Sequence, residues 1–135
     1  MKKLTKLVFV LLSLYTYIYA DFKAIDVAKL EALIEKGVPV IDVRRMDEWE
    51  NTGIIPGSHK LTFFDKNGDY DVKTWMADFQ KIVSNKKQEF VLVCRSSKRS
   101  GIVGDFLEKK VNYEKVLHLD GGIVNWIDKN KKTVK

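Results

Sequence analysis

The sequence is poor in cysteine, proline and histidine: Cys94, two prolines, His59 and His118 are all that 135 residues contain. A single cysteine cannot form an internal disulfide. One thiol and two scattered histidines offer no metal-ligand spacing, so no metal is expected. Eight glycines and two prolines, against 45% hydrophobic and 31% charged residues, exclude collagen-like, low-complexity and wholly disordered classes. The length allows one modest domain. A charge excess of one sign is missing from most of the chain. The net charge of +6 comes from Lys2, Lys3 and Lys6 at one end and Lys129, Lys131, Lys132 and Lys135 at the other; residues 21–128 hold 17 basic and 18 acidic side chains. A body so near neutrality lacks the basic face of a nucleic-acid binder.

A long apolar run is missing too. Leu7–Tyr19 is interrupted by Ser13 and Thr16 and is short of the roughly 20 residues that span a bilayer. With its basic start and Ala20 behind it, segment 1–20 reads as a secretory signal peptide cut after Ala20. An uncleaved amino-terminal anchor is the alternative, because Ile18 is larger than the small residue preferred there. The mature chain is expected to be periplasmic or secreted, with no stable membrane insertion after cleavage. No cysteine follows the cut, which excludes a lipid anchor at that position. A lone thiol in an oxidising compartment is either an inert core residue or a reactive group.

Beyond residue 20 the apolar pattern alternates between periods of two and of 3.6. Phe22–Ile25 reads as a short strand. Asp26 caps a helix with Val27, Leu30, Leu33 and Ile34 on one face, closed by Gly37. Val38–Val43 and Phe90–Val93 read as buried strands, Val116–Leu119 as another, and His59–Phe64 as a fourth candidate. Val72, Trp75, Met76, Phe79, Ile82 and Val83 form a helical core stripe. Ile102, Val103, Phe106 and Leu107 give a later helix its apolar face, and Gly121-Gly122 opens a last helix with Ile123, Trp126 and Ile127. This is an α/β domain over residues 21–128, a mostly parallel sheet with helices on both faces. Residues 129–135 read as a solvated basic tail.

In open α/β sheets, ligands bind beyond the carboxyl ends of the strands. Those ends carry Asp42 and Arg44, then Cys94, then Asp120. The segment Cys94-Arg95-Ser96-Ser97-Lys98-Arg99-Ser100 joins a buried strand directly to a helix. Its backbone N–H groups can curl inward at the positive end of the helix macrodipole, beside the cations of Arg95, Lys98 and Arg99. Both effects favour thiolate over thiol, which marks Cys94 as a nucleophile for an anionic electrophile. No Cys–His–Asn pattern accompanies it. His118 falls within a strand and reads as a packed core histidine; His59 lies either at the crevice or on the surface.

These residues resemble the rhodanese (thiosulfate sulfurtransferase) domains. Val40-Ile-Asp-Val-Arg44 is similar to their strand-end motif. Glu48-Trp49 followed by Gly53-Ile-Ile-Pro-Gly-Ser58 resembles their acidic-aromatic and Gly-His-Ile-Pro-Gly-Ala pattern. Cys94–Arg99 resembles the catalytic loop, and Leu119-Asp-Gly-Gly-Ile123 with Trp126 the closing motif. The ordered set covers about residues 22–128 and implies a rhodanese-like, five-stranded sheet. It also implies a Cys94 persulfide as the reaction intermediate, with no other cofactor. The N–H groups of Arg95, Ser96, Ser97, Lys98, Arg99 and Ser100 would form the cradle. Arg95 and Lys98 would attract a small anionic donor such as thiosulfate or polysulfide, and a thiol or protein acceptor would remove the sulfur. Arg99 would brace the loop through Asp42 or Glu48. Asp42 and Arg44 either pair with each other or touch substrate.

Two residues depart from the family pattern. Ile54 stands where histidine is usual, which alters packing beside the site. Ser97 stands where many members have glycine; a positive φ there costs serine about 1 kcal/mol or more. The related cysteine phosphatases hold one more residue between Cys and Arg, so the four-residue spacing here favours a sulfane sulfur over a phosphoryl group. A non-catalytic periplasmic carrier of polysulfide sulfur and a degenerate interaction module are the remaining alternatives.

Overall fold

The computed structural model describes residues 24–135; the expected signal segment and Phe22 lie outside them. Along the chain β1 (Ala24–Ile25) is followed by α1 (Val27–Glu35), β2 (Val40–Asp42), α2 (Met46–Thr52), β3 (His59–Lys60) and α3 (Val72–Ile82). Then come β4 (Phe90–Val93), α4 (Lys98–Lys109), β5 (Val116–Leu119) and α5 (Gly122–Asp128). The five strands form one parallel sheet in the order β1-β5-β4-β2-β3. Asp26 caps α1 by accepting from the Lys29 N–H at 2.8 Å, and Asp71 caps α3 through Thr74 at 3.1 Å.

The pleat sorts side chains onto two cores. On one face Ile41, Phe90, Leu92, Cys94 and Val116 pack against Trp75 and Phe79 of α3 and Val103 and Leu107 of α4. On the other, Val40, Val91, Val93, Leu117 and Leu119 pack against Val27, Leu30 and Leu33 of α1 and Ile123 and Trp126 of α5. Phe79 anchors the first core: it stacks on Trp75 and meets Phe90 and Tyr113 edge-on. Each such pair contributes about 0.5–1.5 kcal/mol beyond the area it buries. The helical stripe at 72–83 therefore serves packing, as its spacing predicted.

Two segments differ from expectation. The fourth candidate strand shrinks to His59–Lys60, because this sheet edge is exposed and only β2 pairs with it. The basic end does not run free as a solvated tail. Ile54 and Val134 pair antiparallel, N–H to carbonyl in both directions at 2.7 and 2.9 Å. The Thr133 hydroxyl donates to the Thr52 carbonyl, the Trp126 indole to the Lys132 carbonyl, and Lys131 meets Glu31 at 3.0 Å. A Cβ on Gly53, whose φ is +76°, would lie 2.7 Å from the Val134 carbonyl oxygen. The returning chain thus packs against the loop that carries Ile54, itself 7% exposed.

Candidate active site

Cys94 follows directly on β4, the central strand of the sheet, and is 1% exposed. The loop behind it turns sharply at Ser97, which adopts φ +99° and serves as the N-cap of α4. This turn brings the Ser97 N–H to 3.1 Å from Cys94 Sγ. Of the loop N–H groups expected to converge, this is the one at hydrogen-bonding distance. Those of Lys98, Arg99 and Ser100 occupy the first turn of α4, where no intrahelical carbonyl reaches them. The Gly101 N–H, bonded to the Ser97 carbonyl at 2.9 Å, begins the ladder. Ser97 offsets its left-handed strain with its side chain: Oγ accepts from the Gly121 N–H at 2.7 Å and lies 3.4 Å from the Leu119 carbonyl. A glycine would relieve the strain and lose both contacts.

The closing glycines hold the loop from the other side. Ile123 N–H donates to the Cys94 carbonyl at 2.9 Å and Val124 N–H to that of Arg95 at 3.2 Å. At Gly122, φ +58°, a Cβ would collide with the Cys94 carbonyl oxygen and the Arg95 carbonyl group. Only glycine lets the start of α5 approach the loop backbone this closely.

Arginine and carboxylate meet twice nearby. Arg44 and Asp42 are each 1% exposed. Arg44 Nε lies 3.0 and 3.1 Å from the two Asp42 oxygens, and Nη2 2.8 Å from Oδ2. The guanidinium also donates to Thr52 Oγ1 and the Gly53 carbonyl. Its bonds are satisfied within the fold, so this pair fixes the end of β2 and the turn at Gly53. Arg99 instead meets Glu48 of α2 through two bonds of 2.7 and 2.6 Å. Burial pushes the Glu48 carboxyl up, but the Arg99 hydrogen bonds, the Arg45 N–H and the two arginine charges outweigh it and hold it at about 2. The same carboxylate raises the Arg99 guanidinium above its usual value. Between the two acids the sequence offered as braces, Glu48 takes Arg99 and Asp42 takes Arg44.

The remaining loop cations, Arg95 and Lys98, are exposed, as is Ser96. Arg95 borders a cleft of about 300 Å³ that runs past Arg45, Glu48 and Asn51 over the apolar side chains of Ile123, Val124 and Ile127. His59 lies on the exposed edge strand in register with Ile41, and it borders a separate cleft lined by Gly37, Val38, Pro39 and Val40 in place of the one beside Arg95. His118 departs from its expected role. Its Nδ1 is 2.9 Å from Ser100 Oγ, which is 3.3 Å from Cys94 Sγ. Strand parity could have found it: Leu92 pairs with His118, so the side chains of Leu92, Cys94 and His118 share one face of the sheet.

Among curated protein sequences, none matches this chain. Solved structures do match its fold. A thiosulfate sulfurtransferase from Pseudomonas aeruginosa is 18% identical with a TM-score of 0.66, covering 82% of this chain and 19% of that one. The polysulfide-sulfur transferase homodimer from Wolinella succinogenes is 15% identical with a TM-score of 0.65, over 96% and 90%. A human single-domain sulfurtransferase is 20% identical with a TM-score of 0.60, over 78% and 96%. Residues 26–129 match the rhodanese-like domain family, a span that holds β2 to β5, the helices of both cores and the Cys94 loop; the chain is a member of that family.

Proposed function

We propose that the chain is a sulfurtransferase in which Cys94 carries one sulfane sulfur between an anionic donor and a thiophilic acceptor. The Cys94 thiolate attacks the outer sulfur of thiosulfate or a polysulfide, forming a new S–S bond. The donor's own S–S bond breaks, and its electron pair leaves with sulfite or the shortened polysulfide. An acceptor thiolate then attacks the terminal sulfur of the persulfide and releases Cys94 as thiolate. No metal or organic cofactor takes part. Cycling between thiolate and persulfide balances atoms and charge without an outside oxidant.

The observation that carries this reading is the Ser97 N–H at 3.1 Å from Cys94 Sγ, in a strand–loop–helix turn braced by Arg99 on Glu48. A fixed donor aimed at the sulfur stabilises the anion before and after transfer. Exposed Arg95 and Lys98 draw the anionic donor to the mouth. Cys94 at 1% exposure suits attack on a slender terminal sulfur better than on a branched phosphoester. The likeness in fold to the Wolinella polysulfide-sulfur transferase supports polysulfide as a donor beside thiosulfate. The leader-like segment 1–20 supports an exported mature chain that takes its donor outside the cytoplasm.

Intact mass after brief exposure to thiosulfate or polysulfide, with Cys94→Ser alongside, tests this. The expected result is a gain of one sulfur that cyanide or a reducing agent removes and that the variant never acquires. Catalytic thiocyanate production then distinguishes a turning-over enzyme from a sulfur carrier. No adduct from either donor would overturn the proposal.

A further inference from the structure

Ser100 is fully buried and its hydroxyl has three polar neighbours: Cys94 Sγ at 3.3 Å, the Ser97 carbonyl at 3.1 Å and His118 Nδ1 at 2.9 Å. A hydroxyl has one proton to give and two lone pairs to receive. With Cys94 protonated, every need is met if S–H donates to Ser100 Oγ, His118 Nδ1–H donates to Oγ, and Oγ–H donates to the Ser97 carbonyl. Ionisation of the thiol removes the first of these bonds and turns Sγ into an acceptor. The Ser100 proton is then free to rotate from the Ser97 carbonyl to the thiolate, provided that Nδ1 does not take it. A bare Nδ1 would compete for that single proton; a protonated Nδ1 cannot.

We propose that His118, with its proton on Nδ1, is a positioning residue that turns the Ser100 hydroxyl onto the Cys94 thiolate. Sγ then receives two hydrogen bonds when charged, from Ser97 N–H and Ser100 Oγ–H, and gives one away when neutral. The fold places the ring for this. His118 lies on the Cys94 face of the sheet, in register with Leu92. The first turn of α4 lies against the ring: a Cβ at Gly101 would sit in ordinary contact with it, 3.6 Å from His118 Cε1. The proposal rests on the reading of Cys94 as a thiolate nucleophile, and does not depend on which sulfur compound it attacks.

The test is the rate at which methyl methanethiosulfonate, a small uncharged thiol probe, modifies Cys94 in the full chain at neutral pH, followed by intact mass. Loss of a charge-assisted hydrogen bond shifts the thiolate population about tenfold. The more basic thiolate is a better nucleophile, which leaves a slowing of about threefold. Ser100→Ala should show it, and so should His118→Leu, which removes the Nδ1–H bond that anchors Oγ and leaves the hydroxyl on the Ser97 carbonyl; the double variant should be no slower than either. His118→Asn, which can present an N–H near the Nδ1 position, should restore the wild-type rate; melting curves identify any variant that fails to fold. The proposal is overturned if His118→Leu slows the Ser100→Ala chain as much as the wild type, or if a folded His118→Asn behaves like His118→Leu. The probe needs no sulfane donor. A chain that shows the expected pattern yet never gains sulfur would lose the sulfurtransferase reading and keep this one; the reverse result would do the opposite.

Discussion

The two arginine–carboxylate pairs beside Cys94 share a chemistry and differ in setting. Asp42–Arg44 is sealed at 1% exposure on both sides and joins residues two apart in sequence. Glu48–Arg99 is 15% and 21% exposed and joins residues 51 apart. The sealed pair has no alternative partner in water, so its integrity is inseparable from that of the fold. The partly exposed pair can be solvated when broken, so its worth lies in where it holds the loop. Burial therefore separates a pair that maintains the domain from one that sets the geometry of its site.

The largest effect should come from Arg44→Met, which strands the Asp42 carboxylate in the core. Urea denaturation should show a loss of about 3–5 kcal/mol; a loss under about 1 kcal/mol would erase the distinction between the pairs. Next comes Glu48→Gln. Its stability cost should stay near 1 kcal/mol, while sulfur transfer to cyanide should fall about tenfold or more because Arg99 no longer pins the loop. A large stability loss with unchanged turnover would reverse the assignment. A subtler effect concerns acid. Glu48 is held near 2 in the fold against its ordinary 4.5, so its stabilising contribution is fully present above pH 4.5 and is lost as pH falls through 2. The stability gap between wild type and Glu48→Gln should accordingly be constant above pH 5 and narrow towards pH 2, read from urea midpoints across that range. The smallest effect belongs to Ser97→Gly. Relief of the left-handed strain and loss of the Oγ contacts are each about 1 kcal/mol, so stability should move by less than about 0.5 kcal/mol.

Much of this arrangement was legible in the sequence, and the reasons are local. Phe90–Val93 was bounded to the residue because a strand buried on both faces reads as an unbroken apolar run, and Val116–Leu119 because Val116, Leu117 and Leu119 bracket His118. The left-handed turn at Ser97 and the bracing of Arg99 by an acid followed from motif position. What stayed hidden depends on register or on distant backbone. His118 looked like core packing until its pairing with Leu92 placed it beside Ser100. The docking of Thr133 and Val134 on the loop at 52–54 rests on backbone and hydroxyl bonds that no hydrophobic pattern announces. The same docking gives Ile54 its place: its backbone pairs with Val134 and its side chain is buried.

The depth of Cys94 has a consequence for the company the protein keeps. A disulfide requires two sulfurs about 2.05 Å apart and α-carbons within about 7 Å. A thiol lodged beneath its own loop at 1% exposure cannot meet that geometry with its counterpart on a second folded copy. Covalent dimerisation would require the Ser97 turn to open first. The fold would thus keep its lone cysteine single even under oxidising conditions.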